Sequence, residues 1–247
     1  MSTLNTPQSV HGTKVGLLGW PARGRELYRL LALYGVALMA VQETGPRYLR
    51  AWRRLGRGAH LALSLAPANT VRGSWRVGNG VISDRRVVRR RHRRVLRVAR
   101  PGVRGRLRVP VDLMEILTTR ERIVFIAGHA DRKRPDPAAN LVALEAIAAA
   151  GARVHAQQRL PVVAALDTNN APDANRTFTR HGWVLLAAHG IDRIYGIGVT
   201  ATNARVLTGF SGTVTDHPDP PAVDVIPDVV NLTARHLRRL VPERTAA

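Results

Sequence analysis

Four short stretches place an acidic, amide or imidazole side chain at the C-terminal end of an apolar run. They are Val41-Gln42-Glu43, Ile126-Ala127-Gly128-His129, Leu166-Asp167-Thr168-Asn169 and Thr215-Asp216-His217. A carboxylate at one strand end, taken alone, reads as a turn or a helix cap. Four such ends alternating with apolar runs carry more weight, because strands of one sheet can bring their ends to a common edge. Hard oxygen ligands and two imidazoles would then meet in a single cleft. The chain has no cysteine, so thiolate nucleophiles, disulfides and Cys-ligated zinc are excluded. Any catalysis must rest on oxygen and nitrogen groups.

The elements that would position these groups follow from periodicity. Residues 2–6 read as a short strand ending at Asn5, and residues 23–34 carry Leu27, Leu30, Leu31 and Tyr34 at helical spacing before Gly35 stops them. Residues 36–41 fit a buried strand, 135–151 an Ala/Leu helix and 160–166 a second buried strand leading to Asp167. Further strands are expected at 60–65, 80–88, 95–98, 122–127, 191–195 and 222–226, with a hairpin-like stretch near 203–207 and a last helix over 229–240. Strands that do not alternate strictly with helices predict an α+β layered domain, and 247 residues without a repeat or low-complexity linker fit one domain over 1–247.

Apolar residues make up 45% of the chain and charged residues 22%, ordinary values for a globular protein. The formal net charge of +21 is not ordinary, and it points to a polyanionic partner, nucleic acid foremost. A genome that writes Arg wherever a cation is tolerated is the competing explanation. The charge is densest over 85–108, where Val87, Val88, Val95, Leu96 and Val98 interleave with arginines and favour a folded ribbon over a tail. Arg90, Arg91, Arg93 and Arg94 are its candidate nucleic-acid contacts, since a guanidinium presents a planar fork to phosphate oxygens. The polar start of the chain lacks the pattern of a signal peptide, and the apolar stretch over 30–41 is too short to span a bilayer, so a cytoplasmic monomer is expected.

Taken in order, these motifs resemble the endonuclease/exonuclease/phosphatase superfamily, which includes the pancreatic-type deoxyribonucleases. The resemblance runs over nearly the whole chain: Asn5 ends the first strand, Gln42-Glu43 is the metal motif, and Asn79-Gly80-Val81 and Gly128-His129 follow. Leu166-Asp167-Thr168-Asn169, Asp192-Arg193-Ile194 and Thr215-Asp216-His217 complete it. Leu166 and Thr168 depart from the family pattern, which has Gly before the central Asp and an aromatic after it.

The resemblance implies a two-sheet, four-layer α/β sandwich of the deoxyribonuclease type, with helices on the outer faces and the site at one edge. It implies divalent-metal-dependent hydrolysis of a phosphodiester, most naturally in DNA or RNA, with Mg2+ or Mn2+ as cofactor. The other readings are a phosphatase or phosphodiesterase for a small or lipid phosphate, and an inactive nucleic-acid binder of the same fold. By resemblance, Glu43 and Asp216 are the metal ligands, and His217 is the base or phosphate-polarising group, oriented by Asp192. Asp167 positions the water or leaving group, and Asn5, Asn79, Asn169 and His129 hold phosphate oxygens. Magnesium prefers oxygen ligands and retains several waters, so one or two carboxylates suffice to hold it.

Overall fold

The computed structural model describes residues 2–5, 20–44, 53–54, 56, 60–65, 78–99, 106–130, 137–169, 171, 173–211 and 219–228. For Asn5 and Glu43 the description is of the backbone. Two six-stranded sheets emerge among these residues. In the first, β11 (Val199–Val206), β12 (Pro221–Pro227), β1 (Ser2–Asn5), β2 (Leu38–Thr44), β4 (Gly78–Asp84) and β3 (Leu61–Leu65) lie side by side in that order. In the second the order is β5 (Val88–Ala99), β6 (Arg106–Ile116), β7 (Arg122–His129), β8 (Val162–Asp167), β10 (Asp192–Ile197) and β9 (Val184–His189).

Strand alternation sorts the apolar side chains into three layers of core. Leu38, Ala40, Val81, Phe125, Ala127, Val163 and Ala165 fill the space between the sheets. Their neighbours Met39 and Val41 turn the other way, onto Leu27, Leu30 and Leu31 of helix α1 (Trp20–Leu33). Val124, Ile126, Val162, Ala164 and Leu166 turn onto Leu144, Ile147 and Ala148 of helix α2 (Pro137–Gln158). Both central strands of the second sheet are therefore buried on two faces, which is why they read as unbroken apolar runs. The result is the expected helix–sheet–sheet–helix sandwich. Among the described residues no helix is long and apolar enough to cross a membrane.

The departures from expectation have local causes. Helix α2 does not stop at Gly151 but continues to Gln158. A Cβ on Gly151 would sit 2.3 Å from Cζ2 of Trp183, so this glycine makes room for a ring and ends nothing. Trp183 is 2% exposed, and its indole N–H donates to the Ala148 carbonyl at 3.0 Å. Strand β5 spans Val88–Ala99, far longer than the predicted 95–98, because its arginines find carboxylates on β6. Strands β6 and β9 and the short helix α3 (Ala174–Thr179) have no counterpart in the sequence reading. Polar Asp112 and Glu115 and the imino acid Pro110 break the apolar signal of β6, and β9 is half exposed. Strand β2 runs on to Thr44, so Gln42 and Glu43 lie within it rather than after it. The helix expected over 229–240 lies outside the described residues.

Candidate active site

The registers of the second sheet align its functional groups in a transverse row. Asp167 on β8 pairs with His129 on β7 and with Asp192 on β10, and Asp192 pairs in turn with His189 on β9. Paired residues share a face, and alternation from Phe125, Val163, Ile194 and Ala187 puts all four on the side facing the other sheet. The row sits where β7 and β8 end. Two of the four strand ends singled out from sequence, those at His129 and Asp167, thus meet at one edge.

Asn169 closes this edge. Its backbone is left-handed, with φ of 47°, a conformation that Asn tolerates better than most residues. The turn is held by the Asn169 N–H, which donates to Asp167 Oδ1 at 2.8 Å, and by Thr168, whose hydroxyl donates to the Ile191 carbonyl at 2.7 Å. This second bond explains how Thr168 substitutes for an aromatic: it ties the turn to the start of β10 instead of packing over it. The Asn169 amide donates to the Ala130 carbonyl and lies 3.2 Å from His129 Nε2. Because Ala130 O requires a donor, the amide cannot be reversed, and Nε2 is the acceptor of the second bond. The imidazole proton then resides on Nδ1 in this arrangement. Asp167 Oδ2 is 3.5 Å from the same nitrogen, so protonated His129 would have a carboxylate to turn to. An amide, an imidazole and a carboxylate thus share one corner with two alternative proton placements.

Asp192 is the most strained group electrostatically. It is 1% exposed, and its Oδ1 accepts no hydrogen bond among the described residues. Burial, reinforced by the nearby Asp167 carboxylate, raises its pKa well above the usual carboxylate range, with Arg193 opposing the shift. A buried acceptor left open within such a row is a place for a donor to bind.

The first sheet brings its motifs to the same end. Asn5 pairs with Gln42, so the end of β1 lies beside the Gln42-Glu43 segment. Pairing of Val41 with Gly80 and Thr44 with Gly78 sets Asn79 opposite that segment. The Asn79 amide crosses between the sheets and donates to the Arg108 carbonyl at 3.2 Å. Asn79 therefore acts as a tie between the sheets. On the far side, His189 Nδ1 lies 2.7 Å from the carbonyl of Asp219, whose carboxylate accepts from the N–H groups of Phe210 and Ser211 at 2.8 and 2.7 Å. Asp216 and His217 lie outside the described residues. Among the described residues no group of three or more acidic and imidazole side chains could hold a metal ion.

From sequence His189 reads as a surface or structural residue, although it too follows an apolar run at a strand end. The arginine ribbon divides. Arg93 forms a two-pronged pair with Asp112, at 2.6 and 2.5 Å, in which Asp112 is fully buried. Arg91 is bonded to Glu115 and Arg90 to the Ser64 hydroxyl on β3. Three of the four arginines named as phosphate contacts thus have partners inside the protein, while Arg94 stands exposed opposite Val111.

The fold is that of the endonuclease/exonuclease/phosphatase superfamily, the deoxyribonuclease-like sandwich. A solved endonuclease/exonuclease/phosphatase from Bacteroides vulgatus superimposes with a TM-score of 0.73 at 13% identity, covering 92% of this chain and 97% of that one. The mannosyl-6-phosphatase Bt3783 of Bacteroides thetaiotaomicron gives 0.67 at 10% identity, over 91% and 98%. D. rerio TDP2 complexed with single-strand DNA product gives 0.62 at 13%, over 90% and 98%. No protein-family model matches the sequence, and no curated protein does.

Proposed function

We propose that this protein is a divalent-metal-dependent phosphodiesterase acting on nucleic acid. The observation that carries the reading is the transverse row His129, Asp167, Asp192, closed by Asn169 and facing the sheet that bears Asn5, Glu43 and Asn79. A fold shared with phosphatases and with a protein solved on a DNA product agrees with it. The formal charge of +21 favours a polyanion over a small phosphate.

The donor set suits a hard cation. Two carboxylates, Asp167 and Asp192, lie in adjacent register positions, and their mutual repulsion is part of what raises Asp192. That is the electrostatic condition a nearby divalent ion relieves. Glu43 and Asp216 would hold it, and it would supply positive charge to the non-bridging phosphate oxygens.

The protein's own groups do the rest. The His129 ring binds a phosphate oxygen from the β7 side, and the Asn169 amide, bonded to the Ala130 carbonyl and to His129 Nε2, fixes the ring orientation and can turn to phosphate only by giving up one of these bonds. Asp167, anchored by the Asn169 N–H, orients the attacking water or receives the proton it loses. Asp192 offers its open Oδ1 to the ring nitrogen of His217 that faces away from substrate, selecting the tautomer that works as base. Asp219, two residues after His217 in sequence, already lies against His189 in the row, in keeping with that pairing.

The experiment incubates the purified protein with supercoiled plasmid, single-stranded DNA, RNA and bis(p-nitrophenyl) phosphate, each with magnesium or with chelator. Magnesium-dependent cleavage of a nucleic acid is the expected result. Cleavage of the small diester alone would move the substrate to small phosphoesters, and binding without cleavage in either condition would make the chain a binder.

A further inference from the structure

Strands β11 and β12 are joined by residues 207–220, the connection whose sequence carries Asp216 and His217. Its neck is built from both limbs. Val206 pairs with Pro221, and the Leu207 N–H donates to the Pro220 carbonyl at 3.0 Å, so the ladder closes where the connection begins. On the outgoing limb Leu207 and Phe210 are fully buried in the core beneath α1. Tyr34, just past the end of that helix, stacks on the Phe210 ring and donates its hydroxyl to the Thr208 carbonyl at 3.0 Å. Gly209 turns the limb between these anchors with a φ of 87°, a conformation that a glycine adopts without strain. Packing alone therefore holds the outgoing limb.

The returning limb is held at Asp219, through hydrogen bonds in two directions. Its Oδ1 accepts the N–H groups of both Phe210 and Ser211, at 2.8 and 2.7 Å, which ties limb to limb. Its carbonyl oxygen lies 2.7 Å from His189 Nδ1. A carbonyl only accepts, so Nδ1 carries the proton of that bond. His189 is the cross-strand partner of Asp192. One residue thus joins the limbs by its side chain and, by its backbone, docks them on the second sheet one strand away from Asp192. His217 is two residues before Asp219 in sequence. A chain advances at most about 3.6 Å per residue, so fixing Asp219 confines the His217 backbone to within about 7 Å of it.

We propose that Asp219 is a positioning residue for His217, its carboxylate closing the neck of the connection, and that His189 docks that neck beside Asp192. The proposal rests on the phosphodiesterase reading, in which His217 works as base with Asp192 behind it. Asp219 serves as an acceptor and not as a charge, since a single oxygen takes both N–H groups and an amide oxygen in the same place takes them too.

The test uses the full chain with Asp219→Ala, Asp219→Asn and a control at the far end of the same hairpin, Asp228→Ala, which removes the acceptor of the Thr200 hydroxyl. Turnover is measured with magnesium on bis(p-nitrophenyl) phosphate and on a single-stranded oligothymidylate. A misplacement of 1 Å can cost on the order of 100-fold, so Asp219→Ala should lower kcat at least about tenfold with KM within about twofold. Asp219→Asn and Asp228→Ala should stay within about twofold of wild type in kcat. On a His217→Ala background the Asp219→Ala loss should shrink to under about threefold, because residues acting as a unit are non-additive, whereas a merely structural role gives the same loss on both backgrounds. An Asn variant as weak as the Ala variant, or an additive cycle, overturns the proposal. The cysteine-free chain permits a second readout that needs no turnover. In the variant Asp192→Cys/His217→Cys the two thiols bridge under a mild oxidant only if their Cα atoms come within about 7 Å. Adding Asp219→Ala or His189→Ala should slow bridging about tenfold, and adding Asp219→Asn should leave it unchanged. Equal bridging rates in all four, or no bridging in any, overturns the proposal. If wild type hydrolyses neither substrate yet bridging depends on Asp219 in this way, the phosphodiesterase reading fails and the positioning of residue 217 by Asp219 stands.

Discussion

Replacing Arg93 by Ala should destabilise the protein more than any other change in the arginine ribbon. Asp112 is fully buried between β6 and the first sheet, and Arg93, only 17% exposed in its side chain, is bonded to both of its oxygens. Removing one partner of a buried pair leaves an uncompensated charge, at a cost of about 3–5 kcal/mol. For a chain of this size each kcal/mol moves the melting midpoint by about 2–4 °C, so the expected drop is roughly 6–20 °C. The assay is thermal unfolding by circular dichroism at pH 7. The double variant Arg93→Met/Asp112→Leu should recover most of the loss, since a buried pair exchanged for apolar groups is often neutral. A single variant within about 0.5 kcal/mol of wild type, the range of an ordinary surface change, would refute the reasoning and return Arg93 to the arginines open to phosphate.

Other outcomes follow from the site and its supports. Asp192→Asn should raise the melting midpoint at pH 7 and lower turnover, because an isosteric amide removes a charge that burial disfavours. The sign is set by linkage: the Asp192 carboxyl holds its proton more tightly folded than unfolded. Its penalty is absent below the usual carboxylate range and grows as pH rises through the raised value, so wild type should lose relative to the variant along that window in pH-dependent melts. Glu43→Gln should reduce magnesium-dependent kcat by well over tenfold, a barrier rise above about 1.4 kcal/mol, with an unchanged circular dichroism spectrum. Gly151→Ala should cost about 1–3 kcal/mol by overpacking against Trp183, read as a shift in denaturant midpoint without a change in slope.

The strands buried on both faces were readable in sequence because their environment leaves one kind of residue possible. Ile123–Ala127 and Val162–Leu166 are apolar at every position, and a polar group appears only where the strand runs out, at His129 and Asp167. The fold and the candidate site groups are announced together there. The strands of the arginine ribbon gave no such signal. On β5 and β6 charged side chains interrupt the apolar ones, so Asp112 and Glu115 weaken the strand pattern although they neutralise Arg93 and Arg91 across the ladder. A helix-stopping glycine and a space-making glycine are likewise the same letter, and only the position of Trp183 distinguishes them.

The same physics divides the arginines that composition singled out. Density of charge along a chain is one-dimensional, but a strand pair sorts residues by partner and by face. Arg93 and Arg97 are four apart on one strand and face the same way, yet register gives one Asp112 and the other Arg108. The first pair neutralises itself inside the protein and is satisfied without any ligand. The second sets two guanidinium side chains opposite each other, with Arg97 exposed. Which arginines are taken up inside the protein therefore depends on the partner each meets across the ladder, a quantity that appears only once β6 is recognised as a strand.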